Sequence, residues 1–311
     1  TDRHQAMQRY VVNRIFQALV ALFFLSMVIF VLARLTGDPV GLLLPPDATK
    51  EAEDLLRSSL KLDQPWPVQY WTFISDAARL DFGRSIKARR PVTEVILPKM
   101  LNSLKLGLAG MAITLLMGVP LGVVAAVKRG TSVDTGANLI AVLGQSLPQF
   151  WVGIMLIQLF TVQLDLLPAA GMGGISHYVL PAFTLGWFVT AGIMRLLRSS
   201  MLEVLDGEYI RLARLKGLPE WKVVWKHALR NALIPVLTFS GTYLAAFVTG
   251  AILVETVFAW PGLGRLVYDS IIWRDFPVLQ SLILLTAAAV IAVNLMVDIL
   301  YAYIDPRIRY G

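Results

Sequence analysis

Six stretches of this chain are too long and too apolar to sit in a water-facing loop, and they decide what it can fold into: residues 15–33, 106–127, 139–162, 178–197, 234–258 and 278–304. A helix advances about 1.5 Å per residue, so about 20 apolar residues cross a hydrocarbon layer roughly 30 Å thick. Only structures that satisfy their own backbone hydrogen bonds survive there. A composition of 56% hydrophobic and 16% charged residues over 311 positions agrees with an all-α integral membrane protein and poorly with a soluble domain. The first run is read as a retained helix, because Arg34, Leu35 and Thr36 follow it in place of a small-residue cleavage site.

Lys and Arg placement sets the expected orientation. Arg3, Arg9, Arg14, Lys128, Arg129, eight basic residues from Arg195 to Arg230, and Arg307 and Arg309 fall on one side. The short loops of the other side carry Arg265 and Arg274. Residues 1–14 and 305–311 are therefore expected in the cytoplasm. Residues 34–103, a large segment between helices 1 and 2, are expected outside as a small subdomain. Its core signal is the helical apolar spacing of Ala52, Leu55, Leu56, Leu60 and Leu62, bracketed by Pro45, Pro46, Pro65 and Pro67. Residues 104–304 form the remaining transmembrane domain, with a cytoplasmic loop at 198–233. The net charge of +7 is explained by this topology, with no aromatic and basic surface for reading nucleic acid.

Catalytic chemistry has little support. No GxxxxGK[ST] loop is present to cradle a nucleotide's phosphates. His4, His177 and His227 lie far apart, and there is no cysteine, so neither a catalytic cluster nor a metal site is expected. Lys105, Glu255 and Asp298 sit near predicted helix ends, where snorkelling or a basic neighbour would serve them. Gln145, Gln158 and Asn294 lie deeper, where interhelical hydrogen bonds or a polar pathway both explain them. Pro120, Pro148, Pro181 and Pro235 mark four spans as candidates for bends. Gly118-Val-Pro-Leu-Gly122 would let a second helix come close.

The most informative stretch is residues 208–235, EYIRLARLKGLPEWKVVWKHALRNALIP. It reads as a short amphipathic helix, a Gly217-Leu218-Pro219 break with Gly217 as the cap, and a second helix entering the membrane. An apolar knob ringed by positive charge suits a groove on a partner protein. It equally suits a hairpin lying among anionic membrane lipid headgroups.

YIRLARLKGL (209–218) and HALRNALIP (227–235) resemble the coupling loop of ABC importer permeases, in the dipeptide/oligopeptide/nickel permease family and its first-permease branch. The resemblance continues through RLTGDPV (34–40), DFGRS (81–85), RPV (90–92), SLPQFW (146–151), VETVFAWPGLGRL (254–266), RDFPV (274–278) and VDILYAYIDPRIR (297–309). It therefore spans nearly the whole chain. Of the general E-A-A…G…I-x-L-P pattern, Ala213 and Gly217 fit, while Arg211 and His227-Ala-Leu229-Arg230 depart from it.

The resemblance implies the type I ABC importer permease fold with six transmembrane helices, in a bacterial inner membrane. It implies a pathway shared with a second homologous permease, two ATPase subunits or domains that bind ATP and Mg, and an extracytoplasmic substrate-binding protein. This chain itself would carry no cofactor. Tyr209, Arg211, Ala213, Lys216, Gly217, Leu218, Pro219, His227, Arg230 and Asn231 become the expected ATPase-coupling residues. Gln145, Pro148, Phe258, Trp260, Pro261 and Gly262 are the expected gate or substrate pathway, with an interfacial aromatic anchor as the plainer reading of Phe258 and Trp260. Di- and oligopeptides are the expected substrates, with glutathione-like peptides and nickel chelates as alternatives. A stand-alone secondary transporter or channel is the alternative class, although no coupling-ion cluster supports it.

Overall fold

A computed structural model of the chain describes residues 2–36, 40, 44, 48–59, 61–248 and 252–304. Among them the fold is helical, with one isolated bridge between Arg84 and Pro91. The helices are α1 (Asp2–Thr36), α2 (Lys50–Ser59), α3 (Trp66–Ala78), α4 (Val92–Val127), α5 (Ser132–Ser146) and α6 (Gln149–Leu156), the last continuing as a π-helix over Ile157–Gln163. Then come α7 (Ser176–Leu205), α8 (Glu208–Leu215), a turn at Glu220–Lys222, a π-helix at Val223–Ala228, α9 (Leu229–Val248), α10 (Ile252–Val257), α11 (Leu263–Ile272) and α12 (Phe276–Ile304).

Among the described residues, four helices are long and apolar enough to cross a membrane: α1 over Val11–Leu32, α4, α7, and α12 over Phe276–Val297. The run expected as one span at 139–162 is two helices, α5 and α6 with its π-helical extension, meeting at 106°. Pro148 causes the break. A residue before proline is driven out of the helical region, and Leu147 accordingly sits at φ −86°, ψ 132°. Pro120, Pro181 and Pro235 lie inside continuous helices instead. The run expected at 234–258 is represented by α9 and α10, with residues 249–251 outside the described ones. The C-terminal residues 305–311 and the side chain of Asp298 also lie outside them.

At 36 residues, α4 is about 54 Å long, well beyond the hydrocarbon thickness. Its first turns, through Lys99, Asn102 and Ser103, belong to the segment read from sequence as extramembrane.

The bundle is organised around α7. Two-thirds of its most apolar stretch is buried, against 17% for α1. Phe16, Leu19, Phe23 and Phe24 of α1 are exposed, as suits a helix bathed in lipid. α1 packs on α12 and receives α3, where Tyr70 and Phe73 meet Phe30. Arg34 Nε donates to Gln69 Oε1 at 2.8 Å, and the Ser26 and Tyr70 hydroxyls share a 2.8 Å bond, so α3 is tied to α1 by two polar contacts.

α4 and α7 make the most extensive helix pair. A Cβ on Gly118 would stand 2.9 Å from Ile193 Cγ2, and one on Gly122 2.9 Å from the Met194 carbonyl oxygen. The GxxxG pattern is thus a real close approach. Because the obstacle at Gly122 is backbone, Gly122→Leu is expected to destabilise the bundle by about 1–3 kcal/mol or more, seen as a lowered unfolding temperature in detergent. Gly136 is also helical but faces open space, so Gly136→Ala should be neutral or stabilising by up to about 1 kcal/mol.

Candidate functional site

Two regions carry the candidate residues: the hairpin between α7 and α9, and a buried clamp at the opposite end of the bundle.

The hairpin leaves α7 at Leu205 and turns through Asp206 and Gly207 into α8. Ile210 is fully buried and fastens α8 to the core, with Val223, Val224 and Ala228 beside it in the same cluster. Ala213 and Leu218 pack partly buried on that cluster. The helix ends where sequence reading placed the end. Gly217 sits at φ +73°, its N–H donates to the Arg214 carbonyl at 2.9 Å, and the Leu218 N–H donates to the Ala213 carbonyl at 3.4 Å. That pair of bonds is a Schellman cap. Pro219 then starts the next turn.

Arg214 closes the hairpin with two hydrogen bonds to Glu220, at 3.2 and 2.8 Å. Hydrogen bonding to Arg214 holds the Glu220 carboxyl below its ordinary range. Its depressed folded-state pKa means the pair stabilises the hairpin above the ordinary carboxylate range and loses that effect as pH falls through the folded value. Both side chains are largely exposed, so the contribution is at most about 1 kcal/mol. Across the base, Asn231 Nδ2 donates to Tyr209 Oη at 2.8 Å. Arg211, Lys216 and Arg230 are exposed and His227 is half-buried.

What remains outward is apolar. Leu212, Leu215, Trp221 and Trp225 are all exposed, Leu215 by 77%, and the neighbouring Arg211, Lys216, Lys222 and Lys226 are exposed with them. The π-helical turn at Val223–Ala228, which places Trp225 outward and Val223 and Val224 inward, was not foreseen from periodicity.

A Cβ at Gly217 would touch nothing within 4 Å, so only backbone conformation limits substitution there. Asn tolerates the left-handed region and a β-branched residue does not. Gly217→Val is therefore expected to reduce transport-coupled ATPase activity of the assembled importer while membrane insertion persists, and Gly217→Asn to retain most of it.

The expected gate residues divide between two places. Gln145 accepts a 2.7 Å hydrogen bond from Arg195 Nη1, and Pro148 is exposed at the α5–α6 break. Phe258 and Trp260 are 1% and 0% exposed, packed in the helix core. Trp260 Nε1 donates to the Asn102 carbonyl at 3.1 Å, and its ring meets Tyr178 edge-on at 4.7 Å. Asn102 Nδ2 in turn donates to the Pro261 carbonyl at 3.0 Å. The two places are linked through Gly153 of α6, where a Cβ would stand 3.1 Å from the Phe258 ring.

Glu255 organises this clamp. It is 1% exposed, so the expected snorkelling does not occur. Its Oε1 accepts from Ser103 Oγ at 2.6 Å, and its Oε2 accepts from the Arg265 N–H at 3.1 Å. The Gly264 N–H also donates to this carboxylate. Ser103 Oγ itself accepts from the Leu263 N–H at 2.7 Å. The first N–H groups of α11, orphaned in any helix, are thus satisfied by a carboxylate and a hydroxyl from other elements. Gly262 is required because a Cβ there would lie 2.2 Å from Glu255 Oε1.

A second buried carboxylate lies just past the other end of α11 and binds the 85–87 segment. Asp275 is buried and accepts from Ser85 Oγ at 2.5 Å, the Ile86 N–H at 3.1 Å and the Lys87 N–H at 3.2 Å. Ser103, Asn102 and Ser85 were missed in the sequence. A buried charge in an apolar run was the signal at Glu255, but its partners lie far away in the chain.

The described residues thus form a bundle of long apolar helices with a capped hairpin between two of them, the build of a multi-pass membrane protein. Residues 118–310 match the family described as binding-protein-dependent transport system inner membrane component, and residues 7–106 match its N-terminal family. The chain belongs to this family, the permease subunits of ATP-driven ABC importers, whose ATPase is a separate subunit.

Among individual proteins, it is 44% identical over 305 residues to the glutathione transport system permease protein GsiC of Escherichia coli (strain K12), covering 98% of this chain and 100% of that one. The protein of the same name from Shigella dysenteriae serotype 1 (strain Sd197) matches equally. The inward-facing MetNI methionine ABC transporter superposes with a TM-score of 0.58 at 19% identity, over 68% of this chain and 97% of that chain. An amino acid ABC transporter crystallised with histidines gives 0.51 at 16%, over 69% and 94%. These structures place the fold among type I importer permeases.

Proposed function

We propose that this chain forms half of the translocation pathway of an ATP-driven importer for short peptides, with glutathione or a tripeptide like it as the transported molecule. The observation that carries the reading is the 44% identity to the glutathione permease, maintained over 98% of this chain. The hairpin docks in a groove of an ATPase subunit, its apolar knob buried and its basic rim facing acidic residues. The other half of the pathway is a second homologous permease, and an extracytoplasmic binding protein delivers the peptide. ATP and Mg bind to the ATPases. Both termini and the hairpin lie in the cytoplasm of a bacterial inner membrane, and residues 34–103 with α11 lie outside, where they can meet the binding protein. Gln145, Pro148 and the 258–262 segment border the route the peptide takes.

The complete importer reconstituted in liposomes tests the substrate. ATP-dependent uptake of labelled glutathione that unlabelled glutathione competes away, and that a nickel chelate does not, is the expected result. Uptake of dipeptides or nickel chelates with glutathione ignored would overturn the substrate assignment.

A further inference from the structure

Neither Asp134 nor Arg198 belongs to the hairpin or the gate set, yet they form a bidentate ion pair. Arg198 Nε and Nη2 donate to the two carboxylate oxygens of Asp134 at 2.6 and 2.8 Å. The Gly130 N–H, at 3.0 Å, and Asn138 Nδ2, at 2.8 Å, complete the carboxylate's shell. Asp134 is 6% exposed. Bidentate pairing of this kind fixes direction as well as distance.

Position gives the pair its meaning. Asp134 lies in the first turn of α5, and Arg198 lies on the last two turns of α7, just before the hairpin. Between the two helices the interface is built of small residues. Ala137 and Ala141 pack with Ala191 and Met194, and a Cβ at Gly144 would stand 2.9 Å from that of Ala191. The Arg195 to Gln145 bond adds a second polar tie near the end of α5. Immediately beyond comes the 106° break at Leu147 and Pro148. A close, polar-pinned interface does not slide.

We propose that Asp134 and Arg198 are positioning residues for transport: they fasten α5 to the hairpin end of α7, so that the two move as one body. This rests on the importer reading above. Beyond the break, Gln149 Nε2 donates to the Thr184 and Leu185 carbonyls at 3.2 and 2.9 Å, so α6 is held to the first half of the same helix.

The chain has no cysteine, so a spin-label pair at Leu139 and Glu203 can be introduced into it and read in an importer whose partner subunits are also freed of cysteine. Double electron–electron resonance with and without ATP then reports the tie. The expected result is an unchanged Leu139 to Glu203 distance. In Asp134→Asn, the Leu139 to Glu203 distribution should broaden and peptide transported per ATP should fall about tenfold while the ATPase subunits stay bound. A Leu139 to Glu203 distance that shifts with ATP would overturn the proposal, as would unaltered coupling in a folded Asp134→Asn importer. Absence of ATPase subunits from the purified complex would instead remove the importer reading, and the tie's role with it.

Discussion

Trp221→Ala is expected to weaken docking of the ATPase subunit by at least about 2 kcal/mol, roughly thirtyfold in affinity, and to abolish substrate-stimulated ATP hydrolysis at working concentrations. Trp221 is 63% exposed on the apolar knob, with Lys222 over its ring at 5.5 Å. Large aromatics at the centre of an interface, ringed by charge, carry a disproportionate share of binding. Affinity between the purified permease complex and its ATPase, followed by titration, measures the effect. Ile210→Ala is the informative companion. Ile210 is fully buried, so its truncation opens a cavity worth about 2–5 kcal/mol under α8 and should lower thermal stability, which Trp221→Ala should not. If the hairpin instead rests on lipid headgroups, Trp221→Ala will leave ATPase affinity unchanged.

The second large effect is expected at Glu255. Replacing it by Ala strands Ser103 Oγ and the Gly264 and Arg265 N–H groups in a buried site. A stranded donor costs about 1–3 kcal/mol, and α11 also loses the anion at its N-terminus, so a total of about 3 kcal/mol or more is expected. Typical stabilities of 5–15 kcal/mol make that a large fraction. Glu255→Gln keeps the volume but offers one acceptor oxygen in place of two, and should fall between. Gly262→Ala should resemble Glu255→Ala, because the added methyl occupies the space of the carboxylate. Thermal unfolding of each variant in detergent ranks them; equal stability of all four proteins would mean that α11 is not held by this clamp.

Much of this was legible from residue order. The apolar runs located α1, α7 and α12, and the Gly217-Leu218-Pro219 signal located the hairpin's turn, because both depend on local chemistry. The break at Leu147 was partly legible. Proline restricts its predecessor, but three other prolines sit inside continuous helices, and at Pro120 the flanking Gly118 and Gly122 hold the segment against α7. The beginning of α4 was hidden because Lys99, Asn102 and Ser103 read as extramembrane, although Ser103 and Asn102 serve a buried network. Long-range partners were the least legible. Ser103 and Glu255 are 152 residues apart, Arg198 and Asp134 are 64 apart, and neither separation leaves a periodic trace.

Purification of the tagged chain from its native membrane, with mass spectrometry of what accompanies it in stoichiometric amount, bears most directly on how this permease is powered. A second permease and ATPase subunits in the complex, with transport that requires ATP, is the predicted result. A chain that purifies alone and transports in liposomes without ATP would contradict it.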